Sequence, residues 1–228
     1  MLLDHIGLIF FPEMEIFRWC GRLAMPIFAF FIAEGCLYTS NPKRYFWRVF
    51  GMALFCQSAA ILEQILQGNL QSVYLNILFT FSLSIPLCFV CIRRKEMLMK
   101  GYGNNALIAG FAAVVFVAAI ILFDILCTKA SYKYEMEIAF DYGAAGAILP
   151  AFALLHYSRK KRMISYAVGV AIFSLVLFGT MWYSWFSLLS LPILWFYNGK
   201  RGDKKLQPFF YLFYPAHLAV LYGISLFI

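Results

Sequence analysis

The chain has 228 residues, of which 63% are hydrophobic, 19% aromatic and only 13% charged, and its mean hydropathy is +0.78. That balance excludes a soluble globular domain of ordinary composition. The net charge of +8 does not point to nucleic acid, because the basic residues stand in every second loop between apolar stretches.

A transmembrane helix needs about 20 mostly apolar residues. Charged clusters divide the chain into nine such stretches, near 1–12, 23–40, 45–66, 72–92, 104–127, 138–157, 163–181, 185–197 and 208–228. The expected fold is an all-α, polytopic transmembrane helix bundle formed by residues 1–228 as one domain. One set of loops holds Lys43, Arg44, Arg48; Arg93, Arg94, Lys95, Lys100; Arg159 through Arg162; and Lys200, Arg201, Lys204, Lys205. The other set holds only Arg18, Arg22, Lys129 and Lys133. The positive-inside rule then places the richer set in the cytoplasm, with the N-terminus inside and the C-terminus outside. An odd number of spans follows, and nine satisfies it. The first and eighth spans are the weakest, since twelve residues make roughly 18 Å of helix against a hydrocarbon core of about 30 Å. The first also lacks the basic lead and small-residue cleavage site of a signal peptide.

No soluble catalytic module is expected, because the loops are short; the longest outer one runs from Thr128 to Glu137. There is no fixed-period repeat and no phosphate-cradling Gly-rich Lys-Ser/Thr loop. The cysteine pair in Cys88-Phe89-Val90-Cys91 has redox or metal spacing but no second pair, so it reads as small apolar core. Zinc is not expected either, since no histidine has another histidine or cysteine three or four residues away. Chemistry must therefore arise between helices, from polar residues within the spans.

Charged groups at membrane depth cost roughly 2.5 to 3.5 kcal/mol on insertion scales, which makes each one a functional candidate. In chain order they are Asp4 and His5, Arg22 at the opening of the second span, and Glu34 near that span's middle. Glu63, Asn76, Asp124 and Asp141 follow near outer span ends, and His217 lies within the last span. His156 adjoins the Arg159–Arg162 cluster and reads as a solvated loop-end residue. Histidine suits proton transfer because its ordinary pKa, about 6.5, allows it to take and return a proton near neutrality. Arg22 could bind a carboxylate, a phosphate or a developing oxyanion, whereas Arg18 reads as a headgroup contact or a partner of Glu13 or Glu15. Gly21, Gly35, Gly143 and Gly146 read as sites of close helix approach or local breaks.

At these residues the sequence resembles the TraX family of integral-membrane proteins. The resemblance runs through Leu3-Asp4-His5-Ile6-Gly7, Gly21-Arg22-Leu23, Pro26-Ile27-Phe28-Ala29-Phe30 and Glu34-Gly35. It continues through Asn76-Ile77-Leu78-Phe79-Thr80, Asp141-Tyr142-Gly143 with Gly146, and Tyr211-Leu212-Phe213-Tyr214-Pro215 with His217. Each segment is weakly specific, but the whole series in order is strong. The chain departs from the pattern at Cys56-Gln57-Ser58-Ala59-Ala60, where members often carry a proline followed by an aspartate.

The family's type member is associated with N-terminal acetylation of pilin, and the family is similar to membrane acyltransferases that modify surface glycans. The resemblance thus implies a multi-pass protein of the bacterial cytoplasmic membrane that moves an acetyl group from acetyl-CoA to an extracytoplasmic peptide or glycan. It matches His5 to a catalytic base and His217 to the polar histidine of the closing helix. On that reading Asp4 or Glu34 orients His5, while Arg22, Asn76, Asp141 and Tyr214 position the acceptor or the oxyanion. Arg48, Arg93, Arg159 and Lys160 hold the acyl-CoA diphosphate. Direct transfer and an acyl-histidine intermediate both fit these residues. From other classes, a proton-coupled transporter of small amphiphiles and a non-catalytic factor for surface-appendage assembly are the alternatives.

Overall fold

A computed structural model describes residues 1–66, 72–179, 182–200 and 207–225. Arg201, Lys204 and Lys205, and the side chains of Glu63 and Tyr211, lie outside the described residues. The described chain is all-helical apart from one pair of short strands. Its α-helices are α1 (Leu2–Phe10), α2 (Glu15–Tyr38), α3 (Pro42–Leu66), α4 (Ile77–Met99), α5 (Gly103–Tyr134), α6 (Gly143–Phe152), α7 (Arg159–Phe178), α8 (Ser190–Trp195) and α9 (Gln207–Ser225). Strand β1 (Ser72–Leu75) precedes α4, β2 (Glu137–Phe140) precedes α6, and a 3₁₀ helix, Trp182–Leu189, leads into α8.

Five of these helices, α2, α3, α4, α5 and α7, are long and apolar enough to cross a membrane by length and composition. Their outward faces carry large apolar side chains such as Phe55, Leu107, Phe111 and Ile164, all more than half exposed. Such surface suits lipid and not water, because a soluble monomer rarely displays apolar patches of this extent. Helix α5 has 32 residues, roughly 48 Å, which exceeds the hydrocarbon thickness. Its last turns therefore form most of the segment from Thr128 to Glu137 that was expected to be a loop.

Contacts divide the chain into two compact units, Met1–Phe28 with Ser174–Ile228, and Ala29–Phe173. In the larger unit α4 packs against α3, α5 and α6. Leu87, Ile120, Cys127, Phe140, Ala147 and Ala151 form one buried apolar cluster within it. The strands pair in parallel, with Ser72 opposite Glu137 and Leu75 opposite Phe140. Gln57 closes this small sheet, its Nε2 donating to the Tyr74 carbonyl at 3.1 Å and its Oε1 accepting from the Asn76 amide at 2.9 Å. In the smaller unit α1 packs against α9. Helix α1 also meets the first turns of α2 closely, since a Cβ at Gly21 would stand 2.5 Å from the Asp4 side chain and one at Gly7 would collide with Phe17.

Between β2 and α6 the backbone turns through two consecutive left-handed residues, Tyr142 (φ 61°) and Gly143 (φ 55°). Asp124 supports that turn by accepting from the Ala144 amide at 2.9 Å, one of the donors left open at the start of α6. The motif Asp141-Tyr142-Gly143 is thus the start of a helix held by a carboxylate from α5.

Candidate functional site

The first and last helices place two histidines in contact within the smaller unit. His5 Nδ1 and His217 Nε2 are 3.1 Å apart, and the ring centroids are 5.1 Å apart with the planes tilted by 48°. His217 is 7% exposed and His5 half-buried. The second ring nitrogen of His217, Nδ1, lies 2.8 Å from the Phe213 carbonyl, one turn earlier in α9. Phe213 also stacks on the imidazole at 5.1 Å, and Tyr214 meets it edge-on at 5.6 Å. The local pattern explains the placement: Phe213 and His217 are four residues apart, so their side chains share one face of α9.

Beside the histidines stands an acid between two guanidinium groups. Asp4 Oδ1 is 3.3 Å from Arg18 Nη1 and 3.9 Å from Arg22 Nη2. Arg22 is only 3% exposed and also lies over the Tyr183 ring, 5.3 Å from its centroid. Asp4 and His5 are consecutive on α1, so their side chains diverge by about 100° around the helix. His5 is therefore held through His217, while Asp4 is held by the arginines. Two guanidiniums against one carboxylate leave this cluster with an excess positive charge when the histidines are neutral. In the same unit Trp19 is stacked on Phe186 at 4.9 Å and edge-on to Trp182 at 5.6 Å.

The remaining residues singled out from sequence fall in the larger unit. Glu34 lies toward the end of α2 and not at its middle, because α2 begins at Glu15, eight residues ahead of the predicted span. Its carboxylate forms an ion pair with Arg162, whose Nε donates to the Ala153 carbonyl at 2.8 Å. Asn76 is the N-cap of α4: Oδ1 accepts from the Leu78 and Phe79 amides, and Nδ2 donates to the Ala53 carbonyl and Gln57 Oε1. All four hydrogen-bonding positions of that amide are spent on the fold. Asp141 directly follows β2, its amide donating to the Leu75 carbonyl at 2.9 Å and its carbonyl accepting from Thr80 Oγ1 at 2.7 Å. Its carboxylate accepts from the Tyr74 hydroxyl at 3.5 Å.

Arg48, Arg93, Arg159 and Lys160 are exposed near the ends of α3, α4 and α7. Among the described residues, no group of three or more His, Cys, Asp or Glu side chains could hold a metal ion. His156 is exposed in the turn after α6, and its carbonyl accepts from Lys95 Nζ at 2.8 Å. Two participants were not singled out from sequence. Gln57 is an amide midway along an apolar span, which is itself a signal of a buried partner. Arg162 was grouped with its basic neighbours, yet it turns inward to an acid.

The family model described as TraX protein matches residues 1–225. The chain is similar to a protein of Dichelobacter nodosus described as "Probable fimbrial assembly protein FimC, serogroup H1", 26% identical over an alignment of 251 residues covering 100% of this chain and 92% of that protein. It is also similar to an uncharacterized protein of Rickettsia prowazekii (strain Madrid E), 39% identical over 77 residues, or 33% of this chain and 30% of that protein. No solved structure matches the chain. A match spanning residues 1–225, together with an ordered series of motifs on the helices just described, places the chain in the TraX family.

Proposed function

We propose that this protein is a membrane-embedded acyltransferase of the bacterial cytoplasmic membrane. It moves an acetyl group from cytosolic acetyl-CoA to an amine or hydroxyl at the outer face, on a pilin-like peptide N-terminus or a surface glycan. The carrying observation is the histidine pair itself, two imidazoles in hydrogen-bond contact on apolar helices, adjoining a carboxylate and two arginines. In this reading His5 removes the acceptor proton as the acceptor attacks the thioester carbonyl, a contribution worth typically 10² to 10⁴ in rate. Arg22, buried beside the pair's helix, supplies positive charge for the oxyanion that develops. The acetyl–sulfur bond then breaks, and the thiolate leaves as the carbonyl re-forms.

The exposed cations Arg48, Arg93, Arg159 and Lys160 are the proposed contacts for the diphosphate of acetyl-CoA. Their helix ends form the cytoplasmic side in the nine-span arrangement with the N-terminus inside. An alkaline phosphatase fused after Ile228 should then be active, and an inactive fusion alongside an active cytoplasmic reporter at the same point would reject that orientation.

Purified protein mixed with acetyl-CoA and membrane extract should release free coenzyme A thiol, measured with a chromogenic disulfide. His5→Ala should lower that release about 10²-fold or more. Equal release from wild type and His5→Ala would reject the assignment.

A second reading has one observation in its favour. The Dichelobacter relative is described as an assembly protein, so a non-catalytic part in building a surface appendage is the competing function. It predicts that His5→Ala and His217→Ala leave appendage assembly intact.

A further inference from the structure

The contacts around the two imidazoles fix where their protons lie. The Phe213 carbonyl can only accept, so His217 Nδ1, 2.8 Å away, must carry a hydrogen and donate it. A neutral imidazole has one N–H, which leaves His217 Nε2 as a bare lone pair. The group 3.1 Å from that lone pair is His5 Nδ1, which must then donate. His5 in turn has its own lone pair on Nε2, for which no hydrogen-bond partner stands among the described residues. The opposite polarity would need a cationic His217 with both nitrogens donating. That would add a third positive charge to a cluster already holding Arg18 and Arg22 against the single carboxylate of Asp4.

We infer that His217 is a positioning residue that locks His5 in its Nδ1–H tautomer, so that the basic atom is His5 Nε2. Its function rests on the acyltransferase reading above, but the tautomer assignment rests on geometry alone. The orientation follows from the backbone outward, from the Phe213 carbonyl through His217 to His5. When the acceptor's N–H or O–H proton moves to His5 Nε2, a new acceptor–carbonyl bond forms and the thioester carbon–sulfur bond breaks. His5 is then a cation, and its Nδ1–H can pass toward His217 Nε2, spreading the charge over both rings. The proton on His5 Nε2 finally goes to the thiolate of coenzyme A, and the neutral pair is restored. No oxidant, metal or further reactant enters the balance.

The protein has three histidines, His5, His156 and His217, which makes the assignment directly measurable. Full-length protein labelled with ¹⁵N-histidine in nanodiscs at about pH 8, above histidine's ordinary pKa of about 6.5, should give long-range ¹H–¹⁵N spectra. The expected result is a pyrrole-type Nδ1 and a pyridine-type Nε2 for both His5 and His217, with His156→Gln assigning the third ring. His217→Ala should release His5 from that single tautomer. His217→Gln, whose carbonyl still accepts from His5 Nδ1–H but cannot take a proton, should keep the tautomer and lose part of the rate. A protonated Nε2 on His5 in the wild type, or a His5 tautomer indifferent to His217→Ala, would overturn the inference. Because the spectrum is read without substrate, failure of acetyl transfer would count against the enzyme reading and not against the tautomer.

Discussion

Breaking the Glu34–Arg162 pair in the larger unit should destabilise the protein strongly, and removing both partners together should not. The Glu34 and Arg162 side chains are 7% and 16% exposed, so neither charge has much water to fall back on. Arg162 also bonds the Ala153 carbonyl at the end of α6 and lies over the Phe30 ring at 6.0 Å. Deleting one partner of a buried pair typically costs 3 to 5 kcal/mol, chiefly because the other charge is stranded. The slight exposure of the guanidinium places Arg162→Met and Glu34→Gln near the lower end, about 3 kcal/mol each. The double variant strands no charge and should lose about 3 kcal/mol or less in total, a coupling of about 3 kcal/mol. Reversible unfolding in mixed micelles, followed by circular dichroism against the mole fraction of denaturing detergent, reads all four corners of the cycle. Losses that simply add, within about 0.5 kcal/mol, would refute the claim that these two side chains are each other's counter-charge.

Two other substitutions test how the helices are held. Gly21→Ala puts a methyl group 2.5 Å from the Asp4 side chain, so α1 must shift. Its midpoint should fall by the equivalent of about 1 to 3 kcal/mol, and acetyl transfer should fall with it because α1 carries His5; an unchanged melting curve would contradict the close approach. Gln57→Leu leaves the Asn76 amide and the Tyr74 carbonyl without the side chain that joins them. A loss of about 1 to 3 kcal/mol is expected in the same unfolding assay, and wild-type stability would show that this amide does not hold the strand pair to α3.

Much of the architecture was legible because lipid-facing sequence is simple to read. Runs of apolar residues broken by basic loops predicted a helical bundle, of whose described helices five are long and apolar enough to cross a membrane, and polar residues within or at the mouths of those runs singled out Asp4, His5, Arg22 and His217. What the sequence could not convey was pairing. His5 and His217 are 212 residues apart, and no local period links them. Helix α2 starts earlier than expected because Arg18 and Arg22 pair with Asp4, so charges that looked like a loop belong to its first turns. The same shift carried Glu34 from mid-span toward the end of α2, where its partner is a cation from a cluster read as a cytoplasmic basic loop. The strands Ser72–Leu75 and Glu137–Phe140 were absorbed into apolar spans, since a four-residue apolar run carries no period that separates strand from helix. Asn76 and Asp141 were legible as unusual, but an N-cap and a strand end look the same in sequence as a substrate contact.

The most direct test of the central claim follows the acetyl group itself. Purified protein in nanodiscs is incubated with acetyl-labelled acetyl-CoA and a membrane extract, using wild type, His5→Ala and the exposed-site control His156→Ala. The account predicts label on an acceptor amine or hydroxyl with wild type and His156→Ala, and at least about 10²-fold less with His5→Ala. Equal labelling by His5→Ala, or no labelling by wild type under conditions where it is folded, would contradict it.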